Sequence, residues 1–372
     1  MREMKDSGVE WIGEIPEDWN VGKTLYALSM PITDGPHETP ELFDEGIPFI
    51  SAEAVSCGNG HIDFEHIRGF ISQEFYEECC KKYIPQINDI YMIKSGATTG
   101  KVAKVETQKL FTIWSPLAVF RVEPQRCYYE YLYYFIQSDA YQKQIENKWT
   151  YGTQQNIGMR TLEKLMICFP SITQQKLIAD YLDSKCSKID EIIEKQQAII
   201  EKLKEYKISI ITEVVTKGLD YEVDYKESGT EWLGKIPSHW QYLSFKNVLK
   251  ERNEKNFPVK TAERLSLSID KGVTLYSEKT TNLDRFKDDV SQYKLAHEGD
   301  FVLNSMNMIV GAVGISHYFG CVSPAYYTYY DNEEDHITAK YCDYLFHSKT
   351  VKKVLHSLGK GIMSIDRGDD RI

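Results

Sequence analysis

The most regular pattern of apolar and polar positions in the 372-residue chain lies between residues 173 and 218. Apolar residues recur there at heptad spacing, the other positions carry balanced charge, and no proline or glycine occurs before Gly218. The pattern predicts a long helix that is capped by Thr173, ends at Gly218 and buries its apolar stripe against another helix. The predicted coiled-coil interface consists of Leu182, Ile189, Ile192, Gln196, Ile199, Leu203 and Ile210.

Shorter apolar stretches precede this helix. Residues 47–50, 90–93 and 117–122 are apolar runs bounded by turn residues, and we expect them to form strands. Residues 128–148 carry apolar side chains at helical spacing, which predicts one helix. Its cluster of tyrosines suggests base stacking, but core and helix-surface positions are the preferred interpretation. Strand and helix signals therefore mix within one region.

The segment 7–19 returns as 228–240, which is 221 residues later, with both tryptophans, both glycines and the proline in register. A period of this length indicates a duplicated domain, because solenoid repeats span roughly 20 to 50 residues. The predicted fold class is α+β, with two tandem mixed α/β domains separated by a long coiled-coil helix. The corresponding boundaries are 1–172, 173–218 and 219–372.

Composition limits the possible partners. The net charge of −11 argues against a protein that binds nucleic acid through its overall charge, although residues 81–110 hold six lysines against two acidic residues, a local charge of +4. We expect no membrane association and a cytoplasmic location, because the chain has neither an apolar run of about 18 residues nor an apolar signal region. Its eight cysteines include no C-x-x-C pair, which favours reduced structural thiols over a metal site.

The sequence contains no convincing catalytic motif. Residues 96–101 resemble a phosphate-binding loop, but three residues instead of four separate the glycines, and Val102 replaces the required Ser or Thr. Zinc-ligand pairs of the H-x-x-x-H type and G-x-S-x-G elbows are also missing from the sequence. We therefore expect no catalytic residue, no metal and no cofactor in this chain.

Two polar loops in the first domain have the composition of a DNA-binding surface. The loop 94–101 follows a predicted strand and offers Lys, Ser and Thr donors, while the loop 152–156 follows a predicted helix and offers the amides suited to adenine. On composition alone, ordinary polar turns are the preferred interpretation of both loops. The candidate DNA-binding residues are Lys94, Ser95, Thr98, Thr99, Lys101, Thr153, Gln154, Gln155 and Asn156 in the first domain, and Asn304, Ser305, Asn307, Lys360 and Ser364 in the second.

The order of these features resembles the specificity subunit of type I restriction-modification systems. The likeness is carried by the segment 7–19, the segment 152–167, the junction 169–182 and the tandem copy. The resemblance implies that each domain is a target-recognition domain for one half of a split double-stranded DNA site. It also implies that the long helix belongs to an antiparallel spacer that binds methyltransferase subunits.

The same resemblance implies a non-catalytic subunit whose partners supply the chemistry. S-adenosylmethionine, ATP and magnesium would then be held by methyltransferase subunits and by a restriction and translocase subunit. This sequence departs from the family pattern by stopping at Ile372 without a second spacer helix. We therefore expect the apolar stripe to pair with a second copy or with a separately encoded helix. A stand-alone nuclease with duplicated domains and a coiled-coil assembly protein are the alternatives.

Overall fold

The computed structural model describes residues 2–151, 155–269, 271–278, 289–304, 311–331 and 337–358. The chain divides into two compact units, Met1–Ile193 and Glu194–Ile372, and the boundary falls inside the long helix. Both units mix helices with mainly antiparallel strands, as the α+β prediction requires. Within the described ranges no helix has the length and apolar character needed to cross a bilayer.

The first unit is built around two sheets. A four-stranded antiparallel sheet has the order β4-β10-β7-β8, and a three-stranded sheet has the order β6-β5-β9. Its strands are β1 (Met4–Asp6), β2 (Glu14–Pro16), β3 (Asn20–Lys23), β4 (Thr33–Asp34), β5 (Ile47–Ile50), β6 (Phe70–Ile71), β7 (Ile90–Ile93), β8 (Val102–Lys104), β9 (Thr112–Ile113), β10 (Leu117–Phe120), β11 (Thr150–Tyr151), β12 (Gln155–Asn156) and β13 (Met166–Phe169). Its helices are α1 (Ala52–Cys57), α2 (Gln73–Cys80), α3 (Tyr129–Gln137), α4 (Asp139–Glu146), α5 (Met159–Leu162) and the start of α6 (Ile172–Lys217).

Strand β7 shows why the four-stranded sheet lies at the centre of this unit. All four of its residues are buried. Ile90 and Met92 join one hydrophobic cluster with residues of α3 and α4, whereas Tyr91 and Ile93 join another with residues of α1. Since successive side chains of a strand point to opposite faces, helices cover both faces of this sheet. The three strands predicted at 47–50, 90–93 and 117–122 are confirmed.

The second unit repeats this plan. A four-stranded antiparallel sheet has the order β16-β23-β20-β21. Its strands are β14 (Tyr225–Glu227), β15 (Lys235–Pro237), β16 (Lys250–Glu251), β17 (Leu265–Ser268), β18 (Gly272–Leu275), β19 (Lys294–Ala296), β20 (Phe301–Asn304), β21 (Val313–Ile315), β22 (Gly320–Val322) and β23 (Tyr326–Tyr330). The helices after the end of α6 are α7 (Phe245–Val248), α8 (Ile337–His347) and α9 (Lys349–Leu358).

The backbone preserves the duplication that the sequence indicates. In the hairpin β1-β2, Met4 pairs with Pro16, and in β14-β15 Tyr225 pairs with Pro237, each 221 residues later. The turn glycines correspond as well, because Gly13 and Gly234 have φ angles of 70° and 64°, in the left-handed region that favours glycine. The two opening segments are therefore copies in conformation as well as in sequence.

The prediction of one helix over residues 128–148 is wrong. The structure has two helices there, α3 and α4, separated by Ser138, whose φ of −66° and ψ of 149° are extended. The Ser138 hydroxyl donates to the Phe135 carbonyl at 2.6 Å. Such a local side-chain bond competes with helix continuation, so the apolar period persists while the backbone bends. The tyrosines are placed as expected, since Tyr131 and Tyr133 are buried.

The long helix begins at Ile172, one residue before its predicted cap, Thr173. The Gln174 amide donates to the Ser171 hydroxyl at 3.3 Å, and the Ser171 amide donates to the Gln174 side chain at 3.2 Å. This reciprocal pair is a capping box, so Ser171 caps the helix and the assignment of Thr173 as the cap is wrong. The predicted end is confirmed, because Gly218 has a φ of 81° and its amide donates to the Val214 carbonyl at 2.9 Å.

Candidate nucleic-acid interface

The structure brings the two polar loops of the first unit together. The Gly96 amide donates to the Gln155 carbonyl at 3.0 Å, and the Ile157 amide donates to the Lys94 carbonyl at 2.9 Å. Ser95 and Asn156 form an antiparallel bridge between these bonds. Sequence reasoning identified each loop separately, but only the fold shows that they form one continuous polar surface.

The loop 94–101 is the closed turn of the hairpin β7-β8. The Gly100 amide donates to the Ile93 carbonyl at 2.8 Å, and the Ile93 amide donates to the Lys101 carbonyl at 2.9 Å. Gly100 has a φ of 95°, and a Cβ at this position would lie 2.4 Å from the Gln142 side-chain oxygen. The loop therefore favours glycine for its backbone conformation, and a larger residue would also displace the end of the Gln142 side chain.

The two lysines of this loop lie in different environments. Lys101 is exposed, and its Nζ donates to the Ser56 carbonyl at 3.3 Å. The Lys94 side chain is only 12% exposed, and its Nζ lies 3.3 Å from Oδ2 of Asp34. Lys101 can therefore reach a ligand from the surface, whereas Lys94 is held inside the base of the loop. Sequence position alone did not distinguish them.

The remaining candidates in the first unit have graded exposure. Asn156 is exposed, and Ser95, Thr98, Thr99 and Gln155 are half-buried. The Thr99 hydroxyl donates to the Gly96 carbonyl at 2.7 Å, so it also stabilises the turn. Thr153 and Gln154 lie outside the described residues. The exposed donors and acceptors therefore cluster where the two loops meet.

Asp34 is a residue that sequence reasoning missed. It is 1% exposed, forms an ion pair with Lys82 and has Lys94 beside it. Its Oδ2 also lies 3.2 Å from Nε2 of His37. Lys94 and His37 both lie within ion-pair distance of Oδ2, but this oxygen is buried and forms no hydrogen bond. Its sequence context, Asp34-Gly35-Pro36, indicates only a turn, because its cationic neighbours come from distant positions.

The lysine-rich segment 81–110 is less positive in the fold than in the sequence. Four of its six lysines contact acidic side chains. Lys81 contacts Glu78, and Lys82 and Lys94 contact Asp34, so both of these acids lie outside the segment. Lys104 contacts Glu106, which lies inside it. Burial raises the pKa of Glu106, but His61 and Lys104 outweigh it and hold that pKa below its usual value. Counting Asp34 and Glu78 lowers the local charge from +4 to +2, and Lys101 is among the lysines that stay exposed.

A polar cavity of about 330 Å³ adjoins Lys101. Its walls include Ser56, Asn59, Thr99, Gln137 and Gln142. Amide and ammonium donors around an open cavity suit a phosphate oxygen, because most protein contacts to DNA are hydrogen bonds to the backbone.

Across the described ranges no cluster of three or more His, Cys, Asp or Glu residues could hold a metal ion.

In the second unit the corresponding loop is only partly described. Asn304 ends β20 and is 5% exposed, so its side chain belongs to the interior. Ser305, Asn307, Lys360 and Ser364 lie outside the described residues. Gly311 has a φ of 93° and packs against Lys352, as Gly100 packs against Gln142 in the first unit. Lys352 is thus a cation beside Gly311 that sequence reasoning missed.

The predicted coiled-coil positions differ along α6. Ile189, Ile192, Ile199, Leu203 and Ile210 are 54, 57, 48, 59 and 41% exposed. Gln196 is exposed among them, and Leu182 is half-buried. By contrast, Gln175 and Ala179 near the start of the helix are fully buried, and Val215 near its end is 7% exposed. The middle of the helix therefore presents the predicted apolar stripe to solvent.

Comparison with known proteins agrees with this geometry. Residues 36–205, which contain both polar loops of the first unit and much of α6, match the family described as the type I restriction modification DNA specificity domain. A solved structure from work on complex assembly and conformational transition of the type I restriction-modification system aligns with 90% of this chain and 80% of its own. Its TM-score is 0.63 at 12% identity, which shows a shared fold.

The matched residues make up just under half of the chain, and the sequence is similar to curated specificity subunits of type I restriction enzymes. One relative is the putative MjaX specificity subunit of Methanocaldococcus jannaschii, 29% identical over 255 residues that cover 67% of this chain and 55% of the relative. Another is the MjaVIII specificity subunit of the same organism, 24% identical over 53% of this chain and 44% of the relative. The chain thus spans about half the length of the curated relatives it matches.

Proposed function

We propose that this chain is a DNA sequence-specificity subunit of a type I restriction-modification complex. Residues 1–172 and 219–372 would be target-recognition domains, each for one half of a bipartite double-stranded site, and residues 173–218 would be the spacer helix. Both relatives are named as specificity subunits of type I restriction enzymes, which supports this assignment. The duplicated sheet and hairpin support two similar sites in one chain.

The observation that carries the proposal is the convergence of the two polar loops in the first unit. Backbone hydrogen bonds of 3.0 and 2.9 Å fix the loop of Lys94–Lys101 against Gln155 and Ile157. The same loop carries the exposed Lys101, a cation suited to phosphate, and its residues 94–96 pair with the segment that carries the amide side chains of Gln155 and Asn156. Phosphate contacts position a protein on DNA, and amide side chains contact base edges, so the surface combines both kinds of contact.

Within this proposal the candidate residues have separate roles. Lys101 contacts phosphate, and Gln155 with Asn156 contacts base edges. Lys94 supports the loop through its contact with Asp34 and touches phosphate only from the base of the loop. Thr153, Gln154 and the second-unit set of Asn304, Ser305, Asn307, Lys360 and Ser364 remain predictions.

The chain would work with partners. We propose that methyltransferase subunits and a restriction and translocase subunit bind it, and that they hold S-adenosylmethionine, ATP and magnesium while this chain has no catalytic role. Such a complex would act in the cytoplasm. A net charge of −11 fits this division, because the partners would supply much of the phosphate neutralisation.

A domain exchange tests the function. Residues 1–170 are replaced by the corresponding domain of another family member, the hybrid is assembled with its methyltransferase partner, and the methylated sites are sequenced. We expect one half of the recognised site to change and the other half to remain. A reciprocal hybrid that exchanges 219–372 should change the opposite half. Hybrids that alter both halves or neither would contradict the assignment.

A second experiment addresses the nuclease alternative. Purified chain alone is incubated with magnesium and DNA that carries the recognised site. We expect no cleavage, because catalysis is assigned to the partner subunits. Cleavage that persists through further purification would favour a duplicated-domain nuclease.

A further inference from the structure

A cluster of charged and polar side chains lies beside the loop 94–101 in the first unit. Its centre is the buried carboxylate of Asp34, at the end of β4. Lys82 forms an ion pair with Oδ1 of this carboxylate. Lys94 Nζ lies 3.3 Å from Oδ2, and His37 Nε2 lies 3.2 Å from it. One carboxylate therefore faces two ammonium groups and an imidazole ring, so the cluster keeps a surplus of positive charge.

The cluster is buried at its centre and open at its rim. The side chains of Asp34 and Lys94 are 1% and 12% exposed, whereas those of Lys82 and His37 are 50% and 72% exposed. An ammonium group has three N–H donors. Within the described part of the chain, Lys82 Nζ donates to Asp34 and, at 3.4 Å, to the Gly35 carbonyl. A third donor is therefore left at the surface for a ligand.

Backbone hydrogen bonds connect this cluster to the polar surface of the first unit. The Ser115 amide donates to the Pro36 carbonyl at 3.2 Å. The Lys94 amide donates to the Pro116 carbonyl at 2.8 Å. The contacts are therefore continuous from the loop of Lys94 to the segment that follows Asp34, and the cluster borders the candidate nucleic-acid interface.

The second unit forms a matching sheet with no carboxylate at the corresponding position. Asp34 lies opposite Ala118 of β10. When the register of β16 against β23 is continued by two residues, Asn253 falls at the corresponding position, opposite Tyr327, and it is exposed. Burying an ion pair also costs desolvation, so such a pair is weak evidence for a gain in stability. The sheet therefore does not require this cluster, which points to a role in binding.

We propose that Lys82 is a second phosphate contact of the first unit and that Asp34 is the residue that positions it. Asp34 fixes one side of the Lys82 ammonium group, and the exposed side meets a phosphate of the half-site that the first unit recognises. Phosphate contacts orient a protein on the duplex, so Lys82 acts together with Lys101 to place Gln155 and Asn156 against the bases. This inference rests on the DNA-binding role proposed above and adds a contact to it.

The salt dependence of binding tests the contact. The full chain is assembled with its methyltransferase partner, and its affinity for a duplex that carries its methylated site is measured over a range of salt concentrations. Lys82→Ala should weaken binding and reduce the slope of log affinity against log salt by about 1, as the loss of one phosphate contact requires. Lys81→Ala is the matched control, because Lys81 is paired one to one with Glu78, and it should leave the slope unchanged.

Neutral phosphates locate the contact on the DNA. A methylphosphonate replaces one phosphate at a time across the half-site that the first unit recognises. We expect one position where the replacement weakens binding by the parent chain about threefold or more and weakens binding by Lys82→Ala no further. Indirect structural damage in Lys82→Ala would instead leave the two chains with equal losses at every position, and that result would overturn the proposal.

Asp34→Asn separates positioning from net charge. This variant adds one positive charge to the interface, so charge alone would strengthen binding to DNA. Positioning predicts weaker binding, and Lys82→Ala should then have little further effect in the double variant. Hydrogen exchange in the first unit shows whether Asp34→Asn folds, and if it does not, the Lys82→Ala and methylphosphonate measurements decide.

The outcomes distinguish this inference from the function on which it rests. A parent complex that binds no DNA would contradict both. A parent complex that binds its site, together with an unchanged salt slope in Lys82→Ala or stronger binding by a folded Asp34→Asn chain, would overturn this inference and leave the proposed function standing.

Discussion

Each unit contains its own four-stranded sheet with a buried aspartate before the central strand. The arginines that bind these aspartates follow different strands in the two units. Asp89 and Asp300 occupy equivalent positions immediately before the central strands β7 and β20, and each is 1% exposed. Arg121, at the end of β10, forms two hydrogen bonds of 2.7 Å with Asp89. Arg252, directly after β16, forms hydrogen bonds of 2.7 and 3.0 Å with Asp300.

This difference shows which part of the arrangement the fold fixes. In both units a backbone amide three residues earlier donates to the carboxylate, from Gln86 at 2.9 Å and from His297 at 2.8 Å. The turn therefore fixes the carboxylate, while the guanidinium can follow the adjacent strand, as after β10, or the edge strand, as after β16. A planar guanidinium can form the same paired contact from either strand, which explains how a duplicated domain can exchange one partner and keep the other.

The largest predicted effect concerns these two carboxylates. Asp89→Asn should lower the free energy of unfolding of the first unit by about 3 to 5 kcal/mol, because it leaves the largely buried Arg121 without its charge partner. Asp300→Asn should destabilise the second unit by less, since Asp89 also accepts from the Tyr83 hydroxyl. Denaturant-dependent hydrogen exchange, resolved by unit, measures both losses.

An exposed acid provides the control for this comparison. Glu227→Gln, on the exposed strand β14, should change the stability of either unit by less than about 1 kcal/mol. Equal losses in Asp89→Asn and Asp300→Asn, or a loss no larger than that of the control, would show that the buried pairs contribute less than their geometry suggests.

The next effect contrasts the middle of α6 with its buried ends. Ile192→Asp together with Ile199→Asp places two carboxylates in the exposed apolar stripe and should weaken self-association and methyltransferase binding at least tenfold. The fold of each unit should persist, because neither side chain is buried in the chain itself. Light scattering and a binding titration with the methyltransferase subunit measure the loss.

The control pair is Glu194→Asp with Gln197→Asp, on the opposite face of the same helical turns. These changes should leave both associations within about twofold of the parent chain. A parent chain that is monomeric at micromolar concentration, together with unaltered methyltransferase binding by the Ile192→Asp, Ile199→Asp chain, would contradict an interface on the stripe.

A smaller effect tests the exposed lysine of the loop 94–101, for which we propose a phosphate contact. Lys101→Ala should weaken binding to all DNA sequences alike and reduce the slope of log affinity against log salt by about 1, as the loss of one phosphate contact requires. The exposed Lys143 on α4 serves as the control, and its substitution by alanine should leave the slope unchanged. If Lys101→Ala altered sequence preference and left the salt slope intact, its role would be base recognition.

The sequence predicted the secondary-structure elements better than it predicted the contacts between them. Heptad spacing located α6 to within two residues, because the signal is local and repeats many times. The backbone hydrogen bond between Ile157 and Lys94 could not be predicted from the sequence, since it joins residues far apart in the chain. The local charge of +4 overestimated the positive charge around residues 81–110 for the same reason. Asp34 and Glu78, which contact lysines of this segment, lie outside it in the sequence.

The smallest effect tests a titratable contact that only the second unit contains. His347 Nδ1 lies 2.8 Å from the Asp343 carbonyl and 3.4 Å from its carboxylate, whereas the corresponding Gln137 donates to the Tyr133 carbonyl at 3.2 Å. Hydrogen bonding to Asp343 raises the pKa of His347 above its usual value, against the opposing effect of burial. A raised pKa in the folded state means that the stabilisation is complete below about pH 6.5 and is lost as the pH rises through the folded-state pKa.

His347→Gln copies the first unit and supplies the matched variant. The stability of the second unit in the parent chain, minus that in His347→Gln, should be larger at pH 5.5 than at pH 8.5 by at most about 1 kcal/mol, the range of a partly exposed ion pair. The first unit should show no such difference, because Gln137 does not titrate. A difference that grew with rising pH would show that the histidine is stabilised in its neutral form, and the carboxylate of Asp343 would then not be its effective partner.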